Sequence, residues 1–91
     1  MAEIKNSKEA EGLVAQGADA YCKNDYAKAV ELWQKAADME NAQAMYYLAT
    51  CCYSGKGVPK DEEKSVEWYK KAAKLGHEGA QDALKNRGIK W

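Results

Sequence analysis

The sequence predicts an all-α fold, a short α-solenoid of antiparallel helix pairs with about five helices. Apolar residues recur at helical spacing along most of the chain, and no strand candidate rises above that helical signal. One sequence motif also occurs twice, over residues 25–37 and again over residues 61–73. Lys35 in the first copy thus corresponds to Lys71 in the second, 36 residues later. A repeat of this length is typical of stacked-repeat proteins, in which each helix pair buries its apolar face against the next pair.

The first helix is expected to begin near Asn6 or Ser7 and to run to about Cys22. Asn6 followed by Glu9 has part of the logic of a capping box, although that motif ordinarily begins with Ser or Thr. A glycine inside a helix costs about 1 kcal/mol relative to alanine. We therefore expect Gly17 to lie where a neighbouring helix approaches closely.

A tight turn at Lys23-Asn24 leads into a second helix over about residues 25–39. The third helix is predicted over residues 42–53. Its apolar residues fall on one face: Met45, Leu48, Ala49 and Cys52. The segment 54–60 is expected to be a loop, because two glycines and one proline interrupt the helical pattern there.

The fourth helix spans residues 61–76 and carries the clearer copy of the repeated phrase. Carboxylates fill its first turn, where the helix dipole favours negative charge, and Gly76 can adopt the left-handed conformation that closes a helix. Its apolar stripe comprises Ser65, Val66, Trp68, Tyr69, Ala72 and Ala73.

A last helix over about residues 78–86 ends before Gly88. We thus predict a single domain over residues 1–91, divided into a first repeat, a second repeat and a C-terminal half-repeat that acts as a cap. The expected bounds are about 7–40, 41–76 and 77–87.

The charge balance argues against a general polyanion-binding role. The chain has 14 basic and 14 acidic residues and a net charge of zero, so no interaction with nucleic acid is expected. The halves differ: residues 1–45 carry a net charge of −3 and residues 46–91 carry +3. This asymmetry would suit head-to-tail association, although scattered solvated charge is the simpler interpretation.

The sequence indicates a cytoplasmic protein without membrane insertion. No apolar run approaches the roughly 20 residues that cross a bilayer, and the N-terminus lacks the apolar core of a signal peptide. The chain has three cysteines, and Cys51 and Cys52 are adjacent. An odd number with this spacing argues against a disulfide framework and favours a reducing compartment.

No catalytic, metal or cofactor site is predicted. Cys22, Cys51, Cys52 and His77 match no paired zinc-ligand spacing. The segment 55–57, Gly-Lys-Gly, lacks the length and the Ser or Thr of a phosphate-binding loop and is interpreted as an inter-helix turn. His77 has no evident nucleophile beside it, and no Ser-x-x-Lys motif occurs. The chain is therefore predicted not to be an enzyme.

The aromatic residues Trp33, Trp68 and Tyr69 are expected in the core rather than in a ligand-binding box, because they recur at helical spacing. Cys52 is expected to be a small core residue and Cys51 to be partly accessible. Trp91 is expected to fold over the last helix as a cap. A free tail and insertion into a neighbouring molecule are the alternatives.

Residues 44–77 closely resemble the Sel1-like repeat. The residues that carry the resemblance are Ala44, Leu48, Ala49, Gly55, Gly57, Val58, Asp61, Lys64, Ser65, Val66, Trp68, Tyr69, Lys70, Lys71, Ala72, Ala73, Gly76 and His77. Ala49 stands where the family usually has Gly, and Cys52 stands where it usually has Tyr. The first repeat has a shorter turn and resembles a tetratricopeptide repeat, through Gly17, Ala20, Tyr26, Ala29, Trp33 and Ala36.

The resemblance implies a non-enzymatic adaptor or scaffold that binds a protein or peptide on a concave face lined by the first helix of each pair. The positions that correspond to that face are Glu11, Val14, Ala18, Tyr21, Gln43, Tyr46, Thr50, Tyr53, Asp82 and Asn86. Some tetratricopeptide proteins hold a chaperone's acidic C-terminus with a Lys and an Asn. Val14 and Ala18 occupy those places here, so that activity is not transferred. The alternative is a self-associating module, a homo-oligomer that uses its oppositely charged ends or Trp91.

Overall fold

The computed structural model describes residues 8–91, and this part of the chain contains five α-helices and no strand. In chain order they are α1 (Lys8–Cys22), α2 (Tyr26–Asp38), α3 (Ala42–Ser54), α4 (Glu62–Lys74) and α5 (Glu78–Lys85). The five predicted helices are present, with bounds that differ by a residue or two. The predicted start at Asn6 or Ser7 lies outside the described residues, and so does the proposed cap at Asn6.

The helices pack mainly against their neighbours in the chain: α1 on α2, α2 on α3, α3 on α4 and α4 on α5. The resulting body measures 35 × 33 × 16 Å, so it is only about one helix pair thick. Consecutive antiparallel helices arranged in this way form a short α-solenoid, as the repeat predicted.

Four of the helices begin at a side-chain cap. Asp25, Asn41 and Asp61 each accept a hydrogen bond from the backbone N–H three residues later, and His77 does the same through its imidazole. These bonds satisfy amide groups that have no partner within the helix. The sequence pattern predicts Asp25 and Asp61 inside the second and fourth helices. In the structure each is the cap residue immediately before its helix.

The core is built largely from alanine, which lets the helices approach closely. Alanines on all five helices are fully buried: Ala10, Ala29, Ala36, Ala44, Ala49, Ala72 and Ala80. Gly17 fits the same arrangement, because a Cβ atom there would lie only 2.7 Å from Cδ1 of Trp33. The expected close approach at Gly17 is thus present, and the neighbour is an indole ring on α2.

The two adjacent cysteines of α3 are both buried, with exposed fractions of 1% for Cys51 and 5% for Cys52. The prediction that Cys51 is partly accessible was wrong. Helix α3 is packed against α2 on one side and α4 on the other, so residues about 100° apart around its axis are both covered.

Among the aromatic residues expected in the core, Trp33 and Tyr69 are buried, whereas Trp68 is only half-buried. The indole of Trp68 lies against the ammonium group of Lys71, 4.8 Å from the ring centroid to Nζ. Trp68 also borders a surface cleft formed with Val58 and Pro59, so it marks the edge of the core.

Trp91 does not form the expected cap. It remains 42% exposed, and Ile89 is the residue of the C-terminal segment that packs against the core. The chain reverses at Gly88, where φ is 69°, and the Ile89 N–H donates to the Leu84 carbonyl oxygen at 2.9 Å. This reversal brings Ile89, which precedes Trp91 by two residues, back onto α5.

Candidate functional site

An open groove of about 310 Å³ lies between the C-terminal half of α1 and the middle of α3, above the indole of Trp33. The residues that line it are Ala18, Tyr21, Cys22, Trp33, Tyr46, Tyr47, Thr50 and Cys51. None of these side chains carries a carboxylate or an ammonium group. The groove therefore offers an apolar and aromatic surface with a few hydroxyl groups.

The wall of the groove is a continuous series of aromatic rings. Trp33 lies at its centre, with ring centroids 5.8 Å from Tyr21 and 4.7 Å from Tyr47. Tyr21 continues to Tyr26 at 4.8 Å, and Tyr47 continues to Tyr46 at 6.1 Å. Rings at these separations stabilise one another and have little freedom to move, so the surface is formed before any ligand arrives.

The backbone of α1 holds the central ring in place. Trp33 Nε1 donates a hydrogen bond to the carbonyl oxygen of Val14 at 3.1 Å. Val14 was predicted as a groove residue, but its contribution here is this carbonyl group. Its side chain is half-buried against the core.

Lys56 brings a positive charge to the rim of the groove. Its Nζ atom donates to the Tyr21 hydroxyl at 3.3 Å and lies 5.5 Å and 5.2 Å from the ring centroids of Tyr21 and Tyr26. The hydrogen bond to Tyr21 raises the pKa of Lys56, so the ammonium form is favoured at neutral pH. The loop that carries Lys56 packs closely on α2, because a Cβ atom at Gly57 would lie 2.8 Å from the Tyr26 carbonyl carbon.

Tyr46 joins the groove to the start of α5 through His77. The two rings are stacked, with centroids 4.6 Å apart and an interplanar angle of 19°. His77 Nδ1 accepts from the Ala80 N–H at 3.1 Å, so Nε2 carries the proton of the neutral ring and donates to Gln43 Oε1 at 2.8 Å. Burial lowers the pKa of His77, which favours the neutral form that this arrangement needs.

A second cation lies on the α5 side of α3. The guanidinium carbon of Arg87 is 4.5 Å from the ring centroid of Tyr53 and 5.5 Å from that of Tyr69. The Tyr69 hydroxyl lies 3.4 Å from Thr50 Oγ1, and Thr50 lines the groove. Tyr69 thus links Arg87 to Thr50 in the lining of the groove.

The structure brings four of the ten predicted binding residues together in the groove: Ala18, Tyr21, Tyr46 and Thr50. Glu11, Asp82 and Asn86 are exposed and do not line it. The groove residues that the sequence reasoning missed are Cys22, Trp33, Tyr47 and Cys51, together with Lys56 at the rim. Trp33 belongs to the second helix of its pair and reaches the groove because Gly17 leaves room above it.

A second cleft of about 290 Å³ lies on the side of the molecule formed by α2, α4 and the loop before α4. Its residues are Val30, Gln34, Leu48, Cys52, Val58, Pro59, Lys60, Asp61, Lys64 and Trp68. Three charged side chains line it: Lys60 in the loop, Asp61 at the cap of α4 and Lys64 on α4. This cleft provides an internal comparison for experiments on the groove.

Three further properties concern residues 8–91 alone. Within that range, no three His, Cys, Asp or Glu side chains are grouped as the ligands of a metal ion would be. None of the five described helices combines the length and the apolar character that a membrane span requires. All three cysteines are free thiols: Cys22 is exposed, and the pair on α3 is buried.

Sequence comparison gives a family match over most of the chain. The Sel1 repeat family matches residues 12–41 and again residues 42–77. The two matched segments together cover more than half of the chain and meet at the start of α3.

The chain is also similar to segments of longer proteins. One is DAP3-binding cell death enhancer 1 of Rattus norvegicus, 38% identical over 61 residues, which is 67% of this chain and 12% of the relative. Another is chitin synthase regulatory factor 2 of Schizosaccharomyces pombe, 36% identical over 57 residues, with 63% of this chain and 11% of the relative aligned. Chitin synthase regulatory factor 3 of the same yeast is 40% identical over 53 residues, covering 58% of this chain and 6% of the relative. The chain thus spans only a small fraction of these relatives.

Proposed function

The chain belongs to the Sel1 repeat family, and from this premise we propose that it is a non-enzymatic adaptor whose α1–α3 groove binds a segment of a partner protein. Four residues of the groove, Ala18, Tyr21, Tyr46 and Thr50, are among the ten positions that the family resemblance assigned to a concave binding face. Binding there requires no chemistry beyond shape and contact.

The observation that carries the proposal is the uncharged aromatic lining around Trp33. Tyrosine offers a large rigid contact area together with a hydroxyl group, and such residues are frequent among the energetically dominant positions of protein interfaces. The rings already pack on one another, so a ligand does not have to order them. A volume of about 310 Å³ suits one or two side chains of a peptide.

The names of the relatives agree with an interaction role. The rat relative is named for binding DAP3, and the two yeast relatives are named as regulatory factors of chitin synthase. None of these names describes a reaction that the relative itself catalyses. Because this chain spans 12% or less of each relative, the proposal transfers the kind of function and none of the targets.

The test maps where a bound peptide lies. A peptide selected from a displayed random library would be titrated into the isotope-labelled protein while backbone amide signals are followed by NMR. We expect the largest shifts at Ala18, Tyr21, Tyr46 and Thr50. Shifts concentrated at Trp68 and Val58 would instead place binding in the second cleft and contradict the proposal.

A pair of variants supplies the control. Ala18→Leu adds bulk over the groove from α1 and should abolish binding of the selected peptide. Ala15→Leu adds the same bulk to an exposed position of α1 that does not line the groove, so it should retain the affinity. Circular dichroism and thermal unfolding of both variants establish that they remain folded. A peptide that binds Ala18→Leu as well as the wild type would exclude the groove.

Self-association is the second candidate, and the exposure of Trp91 favours it. An indole residue that is 42% exposed is available to a second copy. Light scattering coupled to size exclusion should then show a mass that rises with concentration for the wild type and stays monomeric for Trp91→Ser. A wild-type monomer at every concentration would rule out this candidate.

A further inference from the structure

We propose that the partner segment carries a carboxylate beside the apolar side chain that enters the groove, and that this carboxylate pairs with Lys56. The inference rests on the proposed function, because it specifies the ligand of the same groove. It assigns a residue outside the ten that the family resemblance implied. The occupant is a peptide segment with an aromatic or aliphatic anchor and an acidic neighbour.

The ammonium group of Lys56 has a defined position at the rim of the groove. Lys56 Nζ is held at the rim by the Tyr21 hydroxyl at 3.3 Å and lies over the rings of Tyr21 and Tyr26. Tyr21 also lines the groove, so the charge is adjacent to the apolar surface. An ammonium group has three N–H donors, and the contact with Tyr21 uses one of them. The remaining donors can meet a carboxylate without moving the side chain.

The positive charge of Lys56 is not paired with a carboxylate in residues 8–91. Of residues 8–91, the side-chain ion pairs within 4.0 Å are Lys23 with Asp19 and Lys60 with Glu62, and neither includes Lys56. No side chain that lines the groove is acidic. The charge at the rim therefore has no internal counterion among the described residues. A ligand that supplies one gains a charge-assisted hydrogen bond next to the contact of its anchor.

The contacts of Lys56 with two tyrosines restrict its side chain before a ligand binds. A solvated lysine on a loop ordinarily samples many rotamers, and fixing it costs free energy at the moment of binding. Here the Tyr21 hydroxyl accepts a hydrogen bond from it and the ring of Tyr26 lies 5.2 Å away, and the loop itself is anchored because Gly57 packs against the backbone of Tyr26. Part of the ordering cost is thus met before the ligand arrives, so the ion pair is stronger than an ordinary surface pair.

The experiment uses the selected peptides and two matched lysine variants. Lys56→Gln removes the proposed partner of the carboxylate. Lys60→Gln removes an equal charge from the same loop, at a lysine that lies 3.9 Å from Glu62 and borders the second cleft. Dissociation constants would be measured by calorimetry for each protein with a selected peptide and with its Asp→Asn or Glu→Gln analogue.

We expect selected peptides to be enriched in Asp or Glu next to an apolar residue. Lys56→Gln should weaken their binding about fivefold to tenfold, whereas Lys60→Gln should change it by less than about twofold. The neutral peptide analogue should bind the wild type as weakly as the parent peptide binds Lys56→Gln, and combining both changes should add little further loss. The wild-type affinity should fall as salt is raised, because the pair is at the rim.

The outcomes separate the inference from the function on which it rests. Peptides that are blocked by Ala18→Leu but show no acidic preference and bind Lys56→Gln unchanged would overturn the inference and leave the groove as the binding site. Peptides that bind Ala18→Leu unchanged would overturn both. Failure of the library to yield any binder to the folded protein would also count against both.

Discussion

Gly17 on α1 lies directly against the indole of Trp33 on α2. A Cβ atom at Gly17 would come within 2.7 Å of Trp33 Cδ1 and 2.9 Å of Cε2. These separations are shorter than van der Waals contact, so the absence of a side chain at this position sets how closely α1 approaches α2. The same contact positions the ring at the centre of the groove.

Gly17→Ala is therefore expected to destabilise the protein even though alanine favours helix. The added methyl group must displace a buried ring, which costs about 1–3 kcal/mol, whereas helix propensity returns at most about 1 kcal/mol, so the net destabilisation should be up to about 2 kcal/mol. Chemical denaturation monitored by circular dichroism measures the difference. Gly12→Ala in the same helix is the control: apart from its own helix, no atom of residues 8–91 lies within 4 Å of the Cβ position there, so the change should stabilise the protein by up to about 1 kcal/mol. Equal effects of the two substitutions would contradict the packing argument.

Ser65→Ala is expected to stabilise the protein by about 1 kcal/mol. The Ser65 hydroxyl is fully buried and has no hydrogen-bond partner among the described residues, so the folded state bears its desolvation cost. Ala29, 36 residues earlier, occupies the equivalent place in the first repeat and is also fully buried. The reciprocal change, Ala29→Ser, should destabilise the protein by about 1–3 kcal/mol. A lower denaturation midpoint for Ser65→Ala would show that the hydroxyl has a stabilising partner.

The stability of the protein should fall as the pH is lowered from about 7 to about 5. His77 must be neutral for Nδ1 to cap α5, and its folded-state pKa lies below the ordinary value of 6.5. Its contribution is present above the unfolded-state pKa and is lost as the pH falls through the lower folded-state pKa. The loss should approach about 1 kcal/mol, a typical value for an N-cap. Urea denaturation at several pH values measures it.

His77→Asn serves as the comparison for this pH dependence, since asparagine caps a helix without titrating in this range. The chain has a single histidine, so the variant should show a flat stability profile above about pH 5. A variant that loses stability on acidification as steeply as the wild type would place the titrating group elsewhere.

Cys22 should react with a thiol reagent at neutral pH much faster than the other two cysteines. It is exposed at the groove, whereas Cys51 and Cys52 are buried, and burial raises the pKa of Cys51 to about 11. A chromogenic disulfide should therefore release one equivalent rapidly and two more only when the protein is unfolded. A peptide bound in the groove should slow the first phase. Rapid release of three equivalents from the native protein would contradict the burial of Cys51 and Cys52.

The helices could be predicted because their signals are local. Asp25 and Asp61 mark helix starts, Gly76 marks a helix end, and the 36-residue repeat shows that the pairs stack. The cap and glycine signals depend on residues within a turn of one another and predict the helix bounds, whereas the repeat predicts the solenoid because it can be read directly from the sequence.

The groove could not be predicted from local sequence signals, because its contacts join residues that are far apart in the sequence. Lys56 meets Tyr21 from 35 residues away, and nothing in the Gly-Lys-Gly turn indicates which tyrosine it faces. The burial of Cys51 and the exposure of Trp91 depend in the same way on which helices flank α3 and α5. Only the stacking of whole repeats determines those neighbours.

The neighbour-on-neighbour packing of the helices also has a consequence for how the chain acquires its structure. The main contacts join elements that follow one another, so the contact order is low and no distant ends have to meet before stabilising contacts form. Helix α5 has its main contact with α4 alone, whereas α3 is held from both sides. Opening of the last helix therefore breaks its contacts with α4 and those of His77 with Tyr46 and Gln43, while the packing of α3 against α2 and α4 is kept. Hydrogen exchange should begin at that end and reach α3 last.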